Sequence, residues 1–249
     1  MQKTQRVDLP AERASSVFHG LRVAVTGGTS GLGLALVREL RTRGANVAFV
    51  ARGRKRVVQL EREMAGTAGI VGDVSRKDGI HPIAVQILAR LGGLDVLINN
   101  ASELGPVPLA LLADTECEEL QRAIDTNLLG PFRLTRVLLG ALAASAREGR
   151  SALVVNVSSD AAVSAYPNWG AYGTSKAALH HLTRIWDTEL QAEGIRLLSL
   201  DPGDMDTPLH ALAVPDADPS TLQRPEAAAR GFLAAIAGAL ERAAGTVTA

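Results

Sequence analysis

Arg22-Val23-Ala24-Val25-Thr26-Gly27-Gly28-Thr29-Ser30-Gly31-Leu32-Gly33-Leu34-Ala35-Leu36-Val37-Arg38-Glu39-Leu40 is the stretch that decides the fold of this chain of 249 residues. Arg22–Thr26 is a short apolar, β-branched run. From Gly31 onward the apolar residues recur at helical spacing. Between them the chain must turn sharply, and glycines let its N–H groups approach an anion with no Cβ in the way. The start of the following helix adds unpaired donors and a positive dipole end. A glycine-rich turn alone can be a plain connection. The strand before it and the helix after it are the context of a phosphate-binding turn.

Outward from this unit the same rhythm repeats. Strands are expected at Arg22–Thr26, Asn46–Val50, Gly69–Val71, Asp95–Ile98, Leu153–Val157 and Ile195–Leu200. Helices are expected near Gly31–Arg43, Arg54–Ala65, Gly79–Leu91, Glu116–Arg147, Ala171–Glu193 and Pro225–Arg242. Strands this apolar are buried on both faces, so the sheet is expected to be parallel and covered by helices. The expectation is a single α/β domain over residues 21–249, a Rossmann-type doubly wound sheet with its ligand edge after the strands. Residues 1–20 are polar, mixed in charge and without the apolar core of a secretory signal. They read as an extension that is partly disordered or laid on the surface. Residues 201–225 carry five prolines (Pro202, Pro208, Pro215, Pro219 and Pro225) and several acids. So irregular a stretch in a compact domain is usually functional, and residues 203–225 read as a substrate lid.

A dinucleotide site reads the adenosine ribose near the end of the second strand, where an acid favours NAD. Here no acid occurs between Gly44 and Leu60, whereas Arg52, Arg54, Lys55 and Arg56 follow the strand. Cations at a helix start oppose the macrodipole unless an anion lies beside them. A 2′-phosphate is such an anion, and arginine meets it with paired hydrogen bonds. The expectation is NADP(H) rather than NAD(H), with Arg52 as main reader and Ser30 assisting. The plainer alternative is a solvated basic turn.

Tyr172 and Lys176 are four residues apart at the start of a predicted helix, on one face. A free phenol ionises near 10, and an adjacent ammonium is expected to lower that value into useful acid/base range. Such a pair is more often a plain surface pair. Ser159, thirteen residues earlier, ends the strand Leu153–Val157 at the binding edge. Its hydroxyl could donate to a carbonyl oxygen near Tyr172, with Ser158 the adjacent competitor and a turn-capping serine the structural alternative.

With these residues in place, the chain resembles the short-chain dehydrogenase/reductase family over about Leu21 to Pro208. The markers occur in the family's order: the T-G-x-x-x-G-x-G turn at Thr26–Gly33, Asp73 in Gly72-Asp73-Val74, and Asn99-Asn100-Ala101. Asn127, Ser159, Tyr172 with Lys176, then Pro202-Gly203 and Thr207 follow. The resemblance implies a cofactor site of Gly27, Thr29, Ser30, Gly31, Leu32 and Gly33 at the turn. Asp73 and Val74 would hold the adenine, and Asn99 and Ala101 would line the adenosine ribose, Asn99 also tying the sheet together. Lys176 would bind the nicotinamide ribose beside Tyr172, while Pro202, Gly203 and Thr207 would hold the carboxamide and nearby phosphate. It implies catalysis by Asn127, Ser159, Tyr172 and Lys176. Asn127 would distort its helix and hold a water that links Lys176 to solvent. Read from residues alone, Asn127 could be only a helix-kinking asparagine, and Asp73 a strand-end cap.

The reaction implied is reversible hydride transfer between nicotinamide and a ketone or secondary alcohol, expected to run as carbonyl reduction. Candidate pocket residues are Ser102, Glu103, Ala161, Tyr166, Trp169, Asp204, Met205, Leu209 and His210, beside Ser159. The mixture fits a medium-sized ketone, and Glu103 and Asp204 argue against a strongly anionic one. Two features depart from the family. Ser102 stands where it often has glycine after Asn-Asn-Ala. The end, Ala243–Ala249, is unlike the Val-Asp-Gly-Gly-like tail that builds tetramers. A homodimer through the two long helices is the expectation, with a homotetramer the alternative. An NADP(H)-binding regulator without turnover is the rival from another class. An epimerase or dehydratase would need a larger C-terminal domain.

Composition narrows the field. The chain has 26 basic and 26 acidic residues, which points neither to nucleic acid nor to an anionic membrane. Cys117 is the only cysteine, so no internal disulfide can form and a reducing compartment, the cytoplasm, is expected. His19, His81, His180, His181 and His210 show no metal-ligand spacing, and no metal is expected. No apolar run approaches the ~20 residues needed to span a bilayer.

Overall fold

The computed structural model describes residues 17–246. Six parallel strands form one sheet: β1 (Arg22–Thr26), β2 (Asn46–Ala51), β3 (Thr67–Val71), β4 (Val96–Asn99), β5 (Leu153–Val157) and β6 (Arg196–Leu200). Their order is β3-β2-β1-β4-β5-β6, so the sheet reverses direction of growth between β1 and β4. The helices are α1 (Gly31–Thr42), α2 (Arg54–Glu63), α3 (Ile80–Leu91), α4 (Cys117–Ile124), α5 (Gly130–Arg147), α6 (Gly170–Leu190), α7 (Pro208–Ala213) and α8 (Pro225–Thr246).

Strand parity divides the core into two layers. Val23, Val25, Val47 and Phe49 face one side, where they pack with Leu36 and Leu40 of α1 and Phe232, Leu233 and Ile236 of α8. Ala24 and Ala48 face the other with Val50, Ile70 and Leu97, against Ile83 and Ile87 of α3 and Leu134, Leu138 and Leu142 of α5. Ala24, Ala48 and Ala68 are cross-strand neighbours, so a row of small side chains runs beneath that second helical layer. Truncating one of these buried leucines to alanine costs about 2–5 kcal/mol by removing contacts that the packed layers cannot restore.

Several boundaries differ from the expectation. β3 begins two residues earlier than Gly69. The packed body begins before Leu21, because Phe18 is buried in the first layer and Gly20 N–H donates to the Gly44 carbonyl. Residues 1–16 of the expected extension lie outside the described residues. The expected helix Glu116–Arg147 is interrupted by a wide turn at Asp125–Leu129, centred on Asn127. By length and composition Cys117–Arg147 is long and apolar enough to cross a membrane, yet Leu134, Leu138 and Leu142 bury it against the sheet as a core helix. The proline-rich segment is less irregular than its sequence. It contains α7, and its ends are pinned where Asp206 N–H donates to the Gln223 carbonyl and Gln223 N–H to that of Asp204.

The edge of the sheet opposite the loops that follow the strands is closed by an ion cluster that the sequence did not announce. Asp95 is fully buried. It accepts from Arg22 N–H at 2.8 Å, Arg22 Nη2 at 2.7 Å and Arg150 Nη2 at 2.6 Å. Burial alone would push this carboxyl up. The hydrogen bonds from Arg150 and Arg22 outweigh it and hold the group well below the usual carboxylate range. Asp95→Asn is expected to destabilise the fold by about 3 kcal/mol in urea unfolding at pH 7. A carboxyl whose folded value is depressed stabilises above its unfolded pKa and loses that contribution as pH falls below about 4. The gap to the parent protein should therefore narrow by about 1 kcal/mol between pH 5 and pH 3. A gap constant with pH would exclude the pairing as its source.

Candidate active site

The turn after β1 is built for close approach. Gly27 and Gly31 have φ of +69° and +49°, a region that side chains disfavour. A Cβ on Gly33 would overlap the Gly27 carbonyl, and one on Gly27 would overlap Asn100. The turn is locked to the end of β4: Thr26 Oγ1 accepts from Asn100 N–H at 3.0 Å and Ala101 N–H at 3.1 Å. α1 has no acid in its first turn and no side chain capping it at Ser30, so its N-terminal dipole is not offset there.

One cavity of about 860 Å³ runs along this edge of the sheet. It takes in Gly27, Thr29, Ser30, Gly31, Leu32, Gly33, Arg52, Asp73, Val74, Ala101, Pro202, Gly203 and Thr207. Arg52 is exposed at the end of β2. α2 begins at once with Arg54, Lys55 and Arg56 and has no acid in its first turn. Asp73 also closes a local turn, accepting at Oδ1 from Ser75 N–H and Oγ–H. Asn99 departs from the expectation. It is buried inside the sheet, donating to Asn156 Oδ1 at 2.8 Å and to Thr135 Oγ1 at 3.3 Å, and does not line the cavity. Its tie to the sheet stands, while Asn100, one residue on, faces the cavity.

Ser159, Tyr172 and Lys176 meet in this cavity. β5 delivers Ser159, and the first turns of α6 deliver Tyr172 and Lys176. Lys176 Nζ donates to the Val157 carbonyl at 2.8 Å and lies 5.5 Å from the centre of the Tyr172 ring. Ser159 lines the cavity with Tyr172, and its hydroxyl acts to lower the phenol's pKa. Its Oγ also donates to Asp160 Oδ1 at 3.0 Å. Ser158 is buried, and its N–H is used by the Leu200 carbonyl, though the residue also touches the cavity.

Asn127 does not line the cavity. It is fully buried behind it. Its Nδ2 donates to the Glu103 carbonyl at 2.7 Å and Ser175 Oγ at 2.8 Å. Its Oδ1 accepts from Glu103 N–H at 2.8 Å and Ser102 Oγ at 3.3 Å. The Ser175 hydroxyl in turn donates to the Tyr172 carbonyl at 2.7 Å, so Asn127 is coupled to the turn that carries the phenol.

The electrostatics reverse one expectation. Burial pushes the Tyr172 phenol above its ordinary value, and hydrogen bonds to Ser159 and Ser102 only oppose that rise. The ammonium does not dominate, because Lys176 is itself buried and is pushed down to about 8 by loss of water. Asp201, which the sequence reading passed over, acts on both groups: its charge raises the phenol and raises the ammonium.

The expected pocket residues Ser102, Ala161, Tyr166, Trp169, Asp204, Met205, Leu209 and His210 all line the cavity. Glu103 does not; its backbone is spent on Asn127. Trp169 meets Tyr172 edge to face with ring centres 5.6 Å apart. Leu209 and Ala213 of α7 pack on the cluster of Leu104, Ala161 and Tyr172, so the proline-rich segment covers the phenol. Asp160 is a second residue the sequence did not single out. The Tyr166 hydroxyl donates to its Oδ2 at 2.8 Å, and this with Ser159 holds its carboxyl below the ordinary value. Among the described residues no cluster of three or more potential metal ligands occurs.

Comparison with known proteins fits this geometry. The short chain dehydrogenase family matches residues 22–218. L-fucose dehydrogenase of Mus musculus is 30% identical over 203 residues, covering 81% of this chain and 72% of the relative. 3beta-hydroxysteroid dehydrogenase 1 of Eggerthella lenta is 32% identical over 210 residues, covering 81% and 78%. The crystal structure of 3-ketoacyl-(acyl-carrier-protein) reductase from Brucella melitensis, complexed with NADH, superposes with a TM-score of 0.80 at 26% identity, covering 86% of this chain and 90% of that one. A glycine turn, a serine at the end of β5 and a tyrosine–lysine pair on α6 thus share one cavity in a chain that belongs to the short-chain dehydrogenase family of oxidoreductases.

Proposed function

We propose that this oxidoreductase uses NADP(H) to interconvert a ketone and a secondary alcohol, working as a carbonyl reductase. The observation that carries the reading is the meeting of Ser159, Tyr172 and Lys176 in the same cavity as the Gly27–Gly33 turn. The Gly27–Gly33 turn lining the cavity at the uncapped, acid-free start of α1 fits a dinucleotide pyrophosphate, and the exposed Arg52 with the uncapped, acid-free start of α2 fits a 2′-phosphate. Gly27, Thr29, Ser30, Gly31, Leu32 and Gly33 would hold the phosphates, Asp73, Val74 and Ala101 the adenosine, and Pro202, Gly203, Thr207 and Lys176 the nicotinamide half. When bound, NADPH supplies the hydride.

The chain supplies placement and the proton. Ser159 and Tyr172 hold the substrate oxygen. The raised phenol is protonated at neutral pH, which suits donation to a carbonyl and so supports the reductive direction. As the carbonyl carbon takes up hydride, its oxygen takes the Tyr172 proton, leaving a phenolate that the neighbouring Lys176 ammonium stabilises. Asn127 fixes the turn that carries the phenol. Leu209 and Ala213 shield it from water, which strengthens each of these interactions. The apolar and aromatic lining from Trp169, Met205 and Leu209 fits a medium-sized, uncharged ketone. The sugar, steroid and ketoacyl names of the similar proteins agree with a carbonyl or alcohol substrate and leave its skeleton open.

A panel of ketones assayed by NADPH oxidation, with NADH in parallel, tests the reading. Tyr172→Phe is expected to lower kcat by about a thousandfold or more while NADPH still binds; a variant that keeps turnover overturns the role of the phenol. Arg52→Ala is expected to raise KM for NADPH by about tenfold to a hundredfold and to leave NADH within about twofold. Equal loss with both nucleotides would remove the basis for the NADP(H) assignment.

A further inference from the structure

The cavity that holds Ser159 and Tyr172 has an apolar rim. Tyr166, Leu212 and Val214 line the cavity and are nonetheless 46%, 51% and 37% exposed, so they mark where it opens to water. They come from two segments. Tyr166 lies on the loop after β5, whereas Leu212 lies on α7 and Val214 is the residue that ends it. The same short helix turns Leu209 and Ala213 inward onto the cluster of Leu104, Ala161 and Tyr172. One apolar surface therefore runs from the phenol to the mouth. Exposed apolar side chains scattered singly are ordinary, but a set of them gathered at the mouth of a cavity marks a ligand groove.

The polar groups along this path are largely committed to the protein. Asp160 Oδ1 accepts from Ser159 Oγ at 3.0 Å and from Ala161 N–H at 2.7 Å, and its Oδ2 accepts from the Tyr166 hydroxyl at 2.8 Å. The hydrogen of Tyr166 is thereby spent, and its ring is held at the rim. Asp201 Oδ1 accepts from Gly203 N–H at 2.9 Å. Asp204 is exposed, where water satisfies it, and His210 Nδ1 is buried and closed to a ligand. A substrate rich in hydroxyls would meet few free partners here, and each hydroxyl left unpaired costs its desolvation. We infer that the substrate is an extended, largely hydrocarbon ketone, with its carbonyl end beside Tyr172 and its chain laid over Leu209 and out across Leu212, Val214 and Tyr166. The inference rests on the proposed function and narrows it from ketones in general to apolar ones. Each methylene laid along this surface leaves water, which favours binding roughly in proportion to the area covered. The charges of Asp160 and Asp204 disfavour a chain that ends in a carboxylate.

Linear methyl ketones, from butanone to methyl octyl ketone, assayed with NADPH and the full-length protein, test this. kcat/KM is expected to rise about twofold to threefold with each added methylene until the chain passes the rim. Leu212→Ser combined with Val214→Ser should lower the ratio of kcat/KM for methyl octyl ketone over butanone by about tenfold. Val85→Ser is the control, since Val85 is 65% exposed but lies on α3 away from the cavity, and it should leave that ratio unchanged. A flat series, a double variant that keeps the ratio, or fructose turned over better than methyl octyl ketone overturns the inference. Turnover of no ketone at all would instead count against the proposed function. Binding of methyl octyl ketone, followed by saturation-transfer NMR on the protein with and without NADPH, needs no turnover and still decides the inference. The parent protein should bind it about tenfold more tightly than the double variant, and equal binding overturns the role of the rim.

Discussion

The arrangement of the site depends on the side chain of Asn127, which is buried with all four of its hydrogen-bonding positions used. Two bonds reach the backbone of Glu103 on the segment leaving β4, one reaches Ser175 on α6, and one reaches Ser102. Three elements distant in sequence are thereby held at one point. Each bond is exposed to the full penalty of an unsatisfied buried polar group if a partner moves. The wide turn at Asp125–Leu129 places this amide where it can reach both neighbours. Wide turns of this kind interrupt an otherwise regular helix and recur at functional sites. Here the interruption has a visible product: the backbone of Tyr172 is fixed through Ser175, and the phenol is fixed with it.

A second buried polar chain reinforces the first. Thr135 on α5, Asn99 on β4, Asn156 on β5 and Thr183 on α6 are joined in sequence by hydrogen bonds of 3.3, 2.8 and 2.8 Å. Asn99 and Asn156 are direct neighbours in the β4–β5 register. The chain crosses two strands and anchors the helices on both sides of the site. In an otherwise apolar layer such a ladder has one well-satisfied arrangement, so it specifies register between sheet and helices more sharply than leucine packing can. The glycine turn is fixed differently. Thr26 and Asn100 tie it to the adjacent strand through backbone groups, so its shape follows from the β1–β4 pairing at the point where the sheet reverses.

The fold was legible because its strands are apolar on both faces and alternate with amphipathic helices, a pattern that few architectures satisfy. The site was legible where short motifs fall at strand ends and helix starts, as at Gly27–Gly33, Ser159 and Tyr172–Lys176. What escaped the reading depends on contacts between residues far apart in sequence. Asp95 looks like an ordinary strand residue until Arg22 and Arg150 arrive from 73 and 55 positions away. Asn99 and Asn100 were separable in principle. Residues along a strand alternate in direction, so the last residue of β4 points into the layer and the next leaves it. Glu103 was read as a pocket carboxylate, whereas its backbone is what the structure uses. Aromatic and acidic residue types announce a pocket, but a main-chain contact has no residue type to announce it.

The acidity of Tyr172 shows why sign as well as proximity must come from three dimensions. Spacing alone puts an ammonium beside a phenol and predicts an easier loss of the proton. The structure places both groups out of water, so each resists its own charge: the phenol rises and the ammonium falls to about 8. At neutral pH an ammonium of that acidity is still mostly charged, and its attraction for a phenolate grows as water is excluded. The same burial that hinders ionisation at rest therefore strengthens its partners when ionisation occurs. Asp201 works along this balance from outside, since its negative charge keeps Lys176 protonated and the phenol neutral. As it stands, the site favours the neutral phenol and leaves a charged ammonium buried beside it.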